Sequence, residues 1–234
     1  MKSRIKLNGL ILLLATLTVI LFPRIIIRNA DYAFDDFLEA FGVSLILTGQ
    51  LLRVSARGYK AEQSRKSTSL VVTGPYAMVR NPMYLGIIMI GCGLVLAVLK
   101  PWALLIFLAG FLFLYHNLFP KEEKSLAQKF GNSYKEYCSA VPRILPRASF
   151  IIQNDISSYL PVRLSWLKRE MLSIILILAV VLVIESWEEL NLRGWSYVPR
   201  ALAPQMAVLC LYLILTVLLA RKYEKVTQNC KNNK

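Results

Sequence analysis

The stretch TGPYAMVRNPMYLGIIMIGCGLVLAVLKPW, residues 73–102, decides the fold. A basic loop at Arg80-Asn81 leads directly into an apolar run, which ends at Lys100-Pro101 and is followed at once by a second apolar run. A link this short forces two consecutive helices into an antiparallel hairpin. Both outer ends of the hairpin then return to the same surface. Residues 79–84 and 117–123 are therefore predicted to be neighbours in space.

The overall composition places this hairpin in a membrane. Of 234 residues, 56% are hydrophobic, and the mean hydropathy is +0.50, whereas soluble domains are about 45–50% apolar. A helix needs roughly 20 apolar residues to cross a hydrocarbon core of about 30 Å. Runs that approach this length lie near 8–22, 37–52, 83–99, 102–119, 171–187 and 202–220. We predict an all-α, polytopic membrane protein with about six transmembrane helices.

The charge distribution predicts the orientation of these helices. The formal net charge is +14, and 23 of the 28 Lys and Arg residues lie in segments that are internal if the N-terminus is cytoplasmic. Such a bias is the positive-inside pattern. It explains the basic balance without a nucleic-acid partner, so none is predicted. We expect both termini in the cytoplasm, with a bacterial inner membrane favoured over the endoplasmic reticulum.

Metal and disulfide chemistry are not indicated by the sequence. His116 is the single histidine, and none of the four cysteines forms a CxxC pair or a metal-ligand spacing. A histidine-based metal site is excluded, and no metal site is predicted.

A second segment, EEKSLAQKFGNSYKEYCSAVPRILP at 122–146, follows the hairpin. Leu126, Phe130, Tyr134 and Tyr137 recur at spacings of 4, 4 and 3, which predicts an amphipathic helix at the membrane interface. Gly131 should break or bend it.

The chain as a whole is predicted to have three parts. These are the N-terminal helices with a cytoplasmic connector (1–67), a core of loop, hairpin and amphipathic segment (68–147), and the C-terminal helices with a basic tail (148–234).

The hairpin brings a chemically mixed set of side chains to one patch at the membrane border. Carboxylates at 122 and 123 can bind an ammonium, a sulfonium or ribose hydroxyls, while arginine and asparagine suit a carboxylate or phosphate. Tyrosine rings can contact a cation or an adenine. S-adenosylmethionine carries all of these groups. The simpler interpretation is that Arg80 and Tyr84 are interfacial anchors, that Asn81 and Pro82 begin a helix, and that His116 is a packing residue.

Two segments, TSLVVTGPYAMVRNPMYLG at 68–86 and EEKSLAQKFGNSYKEYCSAVPRILP, carry a family resemblance. Together they resemble the isoprenylcysteine carboxyl methyltransferase-like enzymes and the related phospholipid methyltransferases, over about residues 68–146. The resemblance implies an S-adenosylmethionine-dependent methyltransferase with a lipid or lipid-modified substrate. The cofactor site that it implies contains Leu70, Val71, Tyr76, Asn81, Pro82, Met83, Tyr84 and Glu122. The patch adds Glu123 and Arg143 as cofactor-binding candidates, and Arg80 and His116 as the catalytic candidates.

Two positions depart from the family pattern. Asn81 stands where the pattern has histidine, and it can hydrogen-bond but cannot carry a charge. Leu118 stands where carboxyl-methylating relatives carry an arginine that meets the substrate. The cofactor half of the pattern is thus better preserved than the substrate half. Two alternatives stay open: an NADPH-dependent membrane reductase of the sterol-reductase type, and a non-catalytic lipid-binding membrane protein.

Overall fold

The computed structural model describes residues 33–66, 69–116 and 118–170, together with isolated helical positions between 182 and 221. The described part is helical and contains no β-strand, which confirms the all-α prediction there. Its helices are α1 (Ala33–Lys66), α2 (Pro75–Met78), α3 (Pro82–Val98), α4 (Ala103–His116), α5 (Leu118–Ala140), α6 (Ala148–Gln153) and α7 (Ile156–Tyr159). Residues 164–170 are also helical. The predicted spans at 8–22, 171–187 and 202–220 lie outside the continuously described residues.

Helix α1 is the one described helix that is long and apolar enough to cross a membrane, over Phe37–Ser64. Its 34 residues correspond to about 51 Å, at 1.5 Å per residue, so it exceeds a hydrocarbon core by several turns. The predicted polar connector after residue 52 is the continuation of this same helix. The hairpin helices α3 and α4 are apolar but have 17 and 14 residues. The six-helix topology therefore remains a prediction.

Helices α1 and α3 pack through glycines. A Cβ atom built on Gly49 would lie 2.7 Å from the carbonyl oxygen of Gly86, and one built on Gly42 would lie 2.6 Å from that of Gly93. Small residues allow two apolar helices to approach to backbone contact. The pairing runs antiparallel, so the start of α3 lies beside the middle of α1.

The predicted hairpin is observed. Helices α3 and α4 are joined by residues 99–102, where the Ala103 amide donates to the Lys100 carbonyl at 2.9 Å. The ring of Tyr84 at the start of α3 meets the ring of Tyr115 at the end of α4, with centroids 5.2 Å apart. The two ends of the hairpin are therefore neighbours.

Helix α5 bends at Gly131, as the sequence predicts. Gly131 has φ 55° and ψ −123°, non-helical values inside an otherwise helical segment. Beyond the bend, Tyr134 and Tyr137 are buried, and the Tyr137 hydroxyl donates to the Tyr76 carbonyl at 2.7 Å. The second half of α5 thus packs inward against α2, rather than presenting these tyrosines to the membrane interface.

The last turns of α1 dock onto residues 160–170. The Ser55 hydroxyl donates to the Pro161 carbonyl at 2.7 Å, and the ring of Trp166 covers Gly58 so closely that no Cβ would fit there. Arg57 pairs with the buried carboxylate of Glu170 at 2.6 Å. This contact ties the chain that follows the amphipathic segment back onto α1.

The glycine contact can be tested with a single methyl group. Gly49→Ala should lower the free energy of unfolding by about 1–3 kcal/mol, because the new Cβ meets the backbone of α3, which cannot move aside. Gly110→Ala is the matched control, since nothing lies within 4 Å of that position. Thermal unfolding in detergent measures both. Equal melting temperatures for the two variants would contradict the close packing of α1 on α3.

Candidate functional site

A hydrogen bond across the hairpin joins the two sequence motifs. Tyr84 lies in the first turn of α3, and its hydroxyl donates to Glu122 Oε1 near the start of α5 at 2.8 Å. The contact spans 38 residues of sequence. It confirms that the start of α3 and the start of α5 are neighbours, although the roles of these side chains stay proposals.

The adjacent carboxylates have different partners. Glu123 lies between two guanidinium groups: Arg80 Nη1 at 3.2 Å, and Arg143, whose Nε and Nη2 donate at 2.9 and 2.5 Å. The Glu123 side chain is 17% exposed and that of Arg80 15%. By contrast, Glu122 is exposed and accepts a bond from a neutral phenol. The charge of Glu123 is therefore neutralised inside the protein, whereas that of Glu122 faces the surface of the patch.

Two backbone hydrogen bonds hold the start of α3 against the segment after α5. The Arg80 amide donates to the Pro142 carbonyl at 2.8 Å, and the Asn81 amide donates to the Arg143 carbonyl at 3.1 Å. The Asn81 side chain also donates to the Arg143 carbonyl, at 3.3 Å. Asn81 occupies the N-cap position of α3. The simpler interpretation that Asn81 and Pro82 begin a helix is therefore confirmed, because α3 begins at Pro82, but the Asn81 side chain makes no capping bond.

Arg80 is enclosed by the second motif. Its Nη1 also donates to Cys138 Sγ at 2.7 Å, and its Nε is buried without a hydrogen-bond partner. The sequence indicated no role for any of the four cysteines, and this contact was not predicted. Nothing in the local pattern signals it, because the pairing joins residues 58 positions apart. The catalytic role predicted for Arg80 remains a prediction.

An aromatic row lies behind the Tyr84–Glu122 bond. Tyr115 stacks on Phe111 with centroids 4.2 Å apart, and Phe111 lies 6.2 Å from Phe107. The ring of Tyr84 also contacts Tyr115, in a T-shaped arrangement with an angle of 70° between the rings. The spacing of 107, 111 and 115, which places three rings on one helix face, was the signal available in the sequence.

Tyr76 connects this patch to a cavity of about 640 Å³. The cavity is lined in part by Leu70, Phe130, Ser133, Glu136 and Tyr137, and Tyr137 is the residue that bonds to the Tyr76 carbonyl. Burial raises the pKa of the Tyr76 phenol far above its ordinary value, and the nearby charge of Glu122 raises this pKa further. Tyr76 is therefore a neutral phenol at physiological pH.

For the other residues predicted to form the site, the structure gives burial and position but no described contact with the Tyr84–Glu122 pair. Val71 is half-buried and Leu70 lines the cavity, while Pro82 is buried and Met83 half-buried in the first turn of α3. His116 is exposed at the end of α4. No contact described for His116 joins it to the Tyr84–Glu122 pair, so its role as a base stays a prediction.

The second motif also makes a pH-dependent contribution to stability. Burial, a hydrogen bond with Cys138 and the charge of Glu123 raise the pKa of Tyr134 to about 12, from an ordinary value of about 10. A raised pKa stabilises the fold fully below pH 10, and this contribution is lost as the pH rises towards 12. Tyr134→Phe should flatten the fall of the melting temperature between pH 10 and 12. An unchanged slope would contradict the burial of this phenol.

Comparison with known proteins covers the same region. The model of the phospholipid methyltransferase family matches residues 38–133, which run from α1 past the bend in α5. Protein-S-isoprenylcysteine O-methyltransferase B of Arabidopsis thaliana is 28% identical over 121 residues, which cover 47% of this chain and 60% of that protein. The chain thus spans about three fifths of the relative's length. No solved structure matches.

The match to the phospholipid methyltransferase family includes the hairpin, the whole first motif and about half of the second motif, among them both residues of the Tyr84–Glu122 bond. The matches support the predicted resemblance of this region to the isoprenylcysteine carboxyl methyltransferase-like enzymes and the phospholipid methyltransferases.

Proposed function

We propose that the protein is a membrane-embedded S-adenosylmethionine-dependent methyltransferase that acts on a lipid or lipid-modified acceptor. The observation that carries the proposal is the Tyr84–Glu122 hydrogen bond, because it unites both family motifs at one place. Independent membrane anchors would not need this pairing. The acceptor would enter sideways from the bilayer, since the patch lies where the apolar hairpin ends.

The side chains present fit this cofactor. Glu122 offers an exposed carboxylate to a cationic group, and the rings of Tyr84 and Tyr115 offer π faces to a sulfonium. The cavity has a volume typical of small-molecule sites, which are about 300–1,000 Å³. Its wall combines apolar Leu70 with polar Ser133 and Glu136, a combination that suits an adenosine.

When bound, S-adenosylmethionine supplies an electrophilic methyl group on a positively charged sulfur. The protein's own contribution is alignment and exclusion of water, and alignment can contribute about 7–11 kcal/mol to such reactions in favourable cases. Arg143 and Arg80 clamp Glu123, which fixes the start of α5 and with it the neighbouring Glu122. We propose that Glu123 positions the site, and that Glu122 contacts the cofactor.

Asn81 in place of the family histidine is compatible with this function. Its side-chain amide donates to the Arg143 carbonyl, a bond that a histidine N–H could also make. The role that the structure supports for position 81 is therefore to hold the segment after α5 against α3. This role needs a donor and needs no change of charge.

The proposed location follows the charge pattern. Arg80, Lys124 and Arg143 lie at the same end of the hairpin, which the positive-inside rule assigns to the cytoplasm. The proposed partners are the bilayer and its lipids or lipidated molecules. Cytoplasmic termini and a bacterial inner membrane complete this proposal.

Isothermal titration of the detergent-solubilised protein tests the function. The wild type should bind S-adenosylmethionine, and Glu122→Gln should weaken binding at least tenfold, because it removes the charge opposite a cation. Tyr84→Phe should weaken binding less, because the carboxylate remains but loses the phenol that orients it. Tyr159→Phe, which removes a hydroxyl bonded to Asn154, is the control and should bind as the wild type does.

Other outcomes of the same titration would contradict the proposal. Binding of NADPH with none of S-adenosylmethionine would favour the reductase of the sterol type. Binding of neither molecule would favour a lipid-binding protein without catalysis.

A further inference from the structure

Gln50 is a buried amide in the middle of α1, the described helix that is long and apolar enough to cross a membrane. It is 2% exposed, and neither its Oε1 nor its Nε2 has a hydrogen-bond partner in the part of the chain that the structure describes. Leaving a buried amide unpaired is costly, and an apolar side chain such as leucine would fill similar space. Polar residues inside membrane segments commonly serve a ligand.

Arg53 lies one turn along α1 from Gln50, on the neighbouring position of the same face. Its stem crosses the start of α3 so closely that a Cβ on Gly86 would lie 2.8 Å from Arg53 Cγ. Its guanidinium is close enough to Tyr115 to interact with it electrostatically. Arg53 thus lies against the second turn of α3, two residues beyond Tyr84 in the proposed cofactor site.

Arg53 shares its acidic partner, Glu170, with Arg57. Glu170 forms a short ion pair with Arg57 at 2.6 Å, whereas its distance to Arg53 is 3.9 Å. Among the residues that the structure describes, two guanidinium groups thus share one carboxylate, which leaves a surplus positive charge there. The Arg53 side chain is only 24% exposed, against 60% for Arg57, so the surplus charge lies on the enclosed side.

We propose that Arg53 and Gln50 form a binding site for the anionic head group of the methyl acceptor, either a carboxylate or a phosphate. Arg53 supplies charge and a planar set of donors, which suits both groups. Gln50, one turn further along α1, supplies a donor and an acceptor to a polar group next to the anion. The identification of the bound molecule as the methyl acceptor rests on the proposed methyltransferase function, whereas the binding of an anion at this site does not.

Thermal unfolding of the full chain in neutral-lipid nanodiscs tests the proposal with two matched pairs of probes. Oleate is compared with methyl oleate, and dioleoyl phosphatidic acid with dioleoylglycerol. At least one anionic probe should raise the melting temperature by about 5 °C at saturation, and its neutral counterpart should not. The oleate arm reports a carboxylate site, and the phosphatidic acid arm a phosphate site.

Three variants assign the effect to residues. Arg53→Gln should weaken anion binding at least tenfold, while Arg57→Gln, the matched control on the same carboxylate, should retain it. Gln50→Leu should raise the melting temperature without lipid, since it removes an unpaired buried amide, and should reduce the anion-induced shift. An equal shift with charged and neutral probes, or a full shift in Arg53→Gln, would overturn the proposal. A lower melting temperature for Gln50→Leu would overturn the part assigned to Gln50.

Titration with S-adenosylmethionine separates this inference from the proposed function. Arg53→Gln should bind the methyl donor within twofold of the wild type. A wild type that does not bind the donor, but shows an Arg53-dependent anion shift, would refute the methyltransferase and leave the anion site in place.

Discussion

The structure depends on the short link between α3 and α4. Because Lys100 and Pro101 leave no room for a longer excursion, the end of α4 must return to the start of α3. The Tyr84–Glu122 bond, the contact between Tyr84 and Tyr115, and the clamp on Glu123 all need this return. The glycine contact of α1 with α3 then sets a third helix against the same hairpin. A chain with the same motifs and a long, flexible link would not hold these groups together.

Residues that are adjacent in the sequence have different chemical environments in this hairpin. Glu122 and Glu123 are identical side chains adjacent in sequence, but one helix position separates a mostly buried, doubly paired carboxylate from an exposed one. A buried charge needs close partners to offset its desolvation, and Arg80 with Arg143 supplies them. The division between a positioning carboxylate and a binding carboxylate follows from this difference. Arg53 and Arg57 show a similar division around Glu170.

The features that could be predicted from sequence are those encoded by local rules. The hairpin follows from link length, the bend of α5 from Gly131, and the proximity of 79–84 to 117–123 from both ends of a hairpin returning to one side. The contact between Arg80 and Cys138 could not be predicted, nor could the bonds that tie Arg80 and Asn81 to residues 142–143. These contacts join segments that are far apart in the sequence, and they produce no periodic pattern of residues that would indicate them. Asn81 was open to interpretation as a cap because capping is local, whereas its real partner, the Arg143 carbonyl, is 62 positions away.

The central claim is that Tyr84 and Glu122 act together on the methyl donor. A double-mutant cycle on the dissociation constant of S-adenosylmethionine measures this directly, with Tyr84→Phe, Glu122→Gln and the double variant. A phenol that donates to a charged carboxylate is worth about 1.5–3 kcal/mol, so the two substitutions should be non-additive by at least 0.5 kcal/mol, about the lower limit for interacting pairs. Non-additivity of that size, with the double variant close to Glu122→Gln, would support the site. Strictly additive effects would mean that the two residues do not cooperate in binding, and would contradict it.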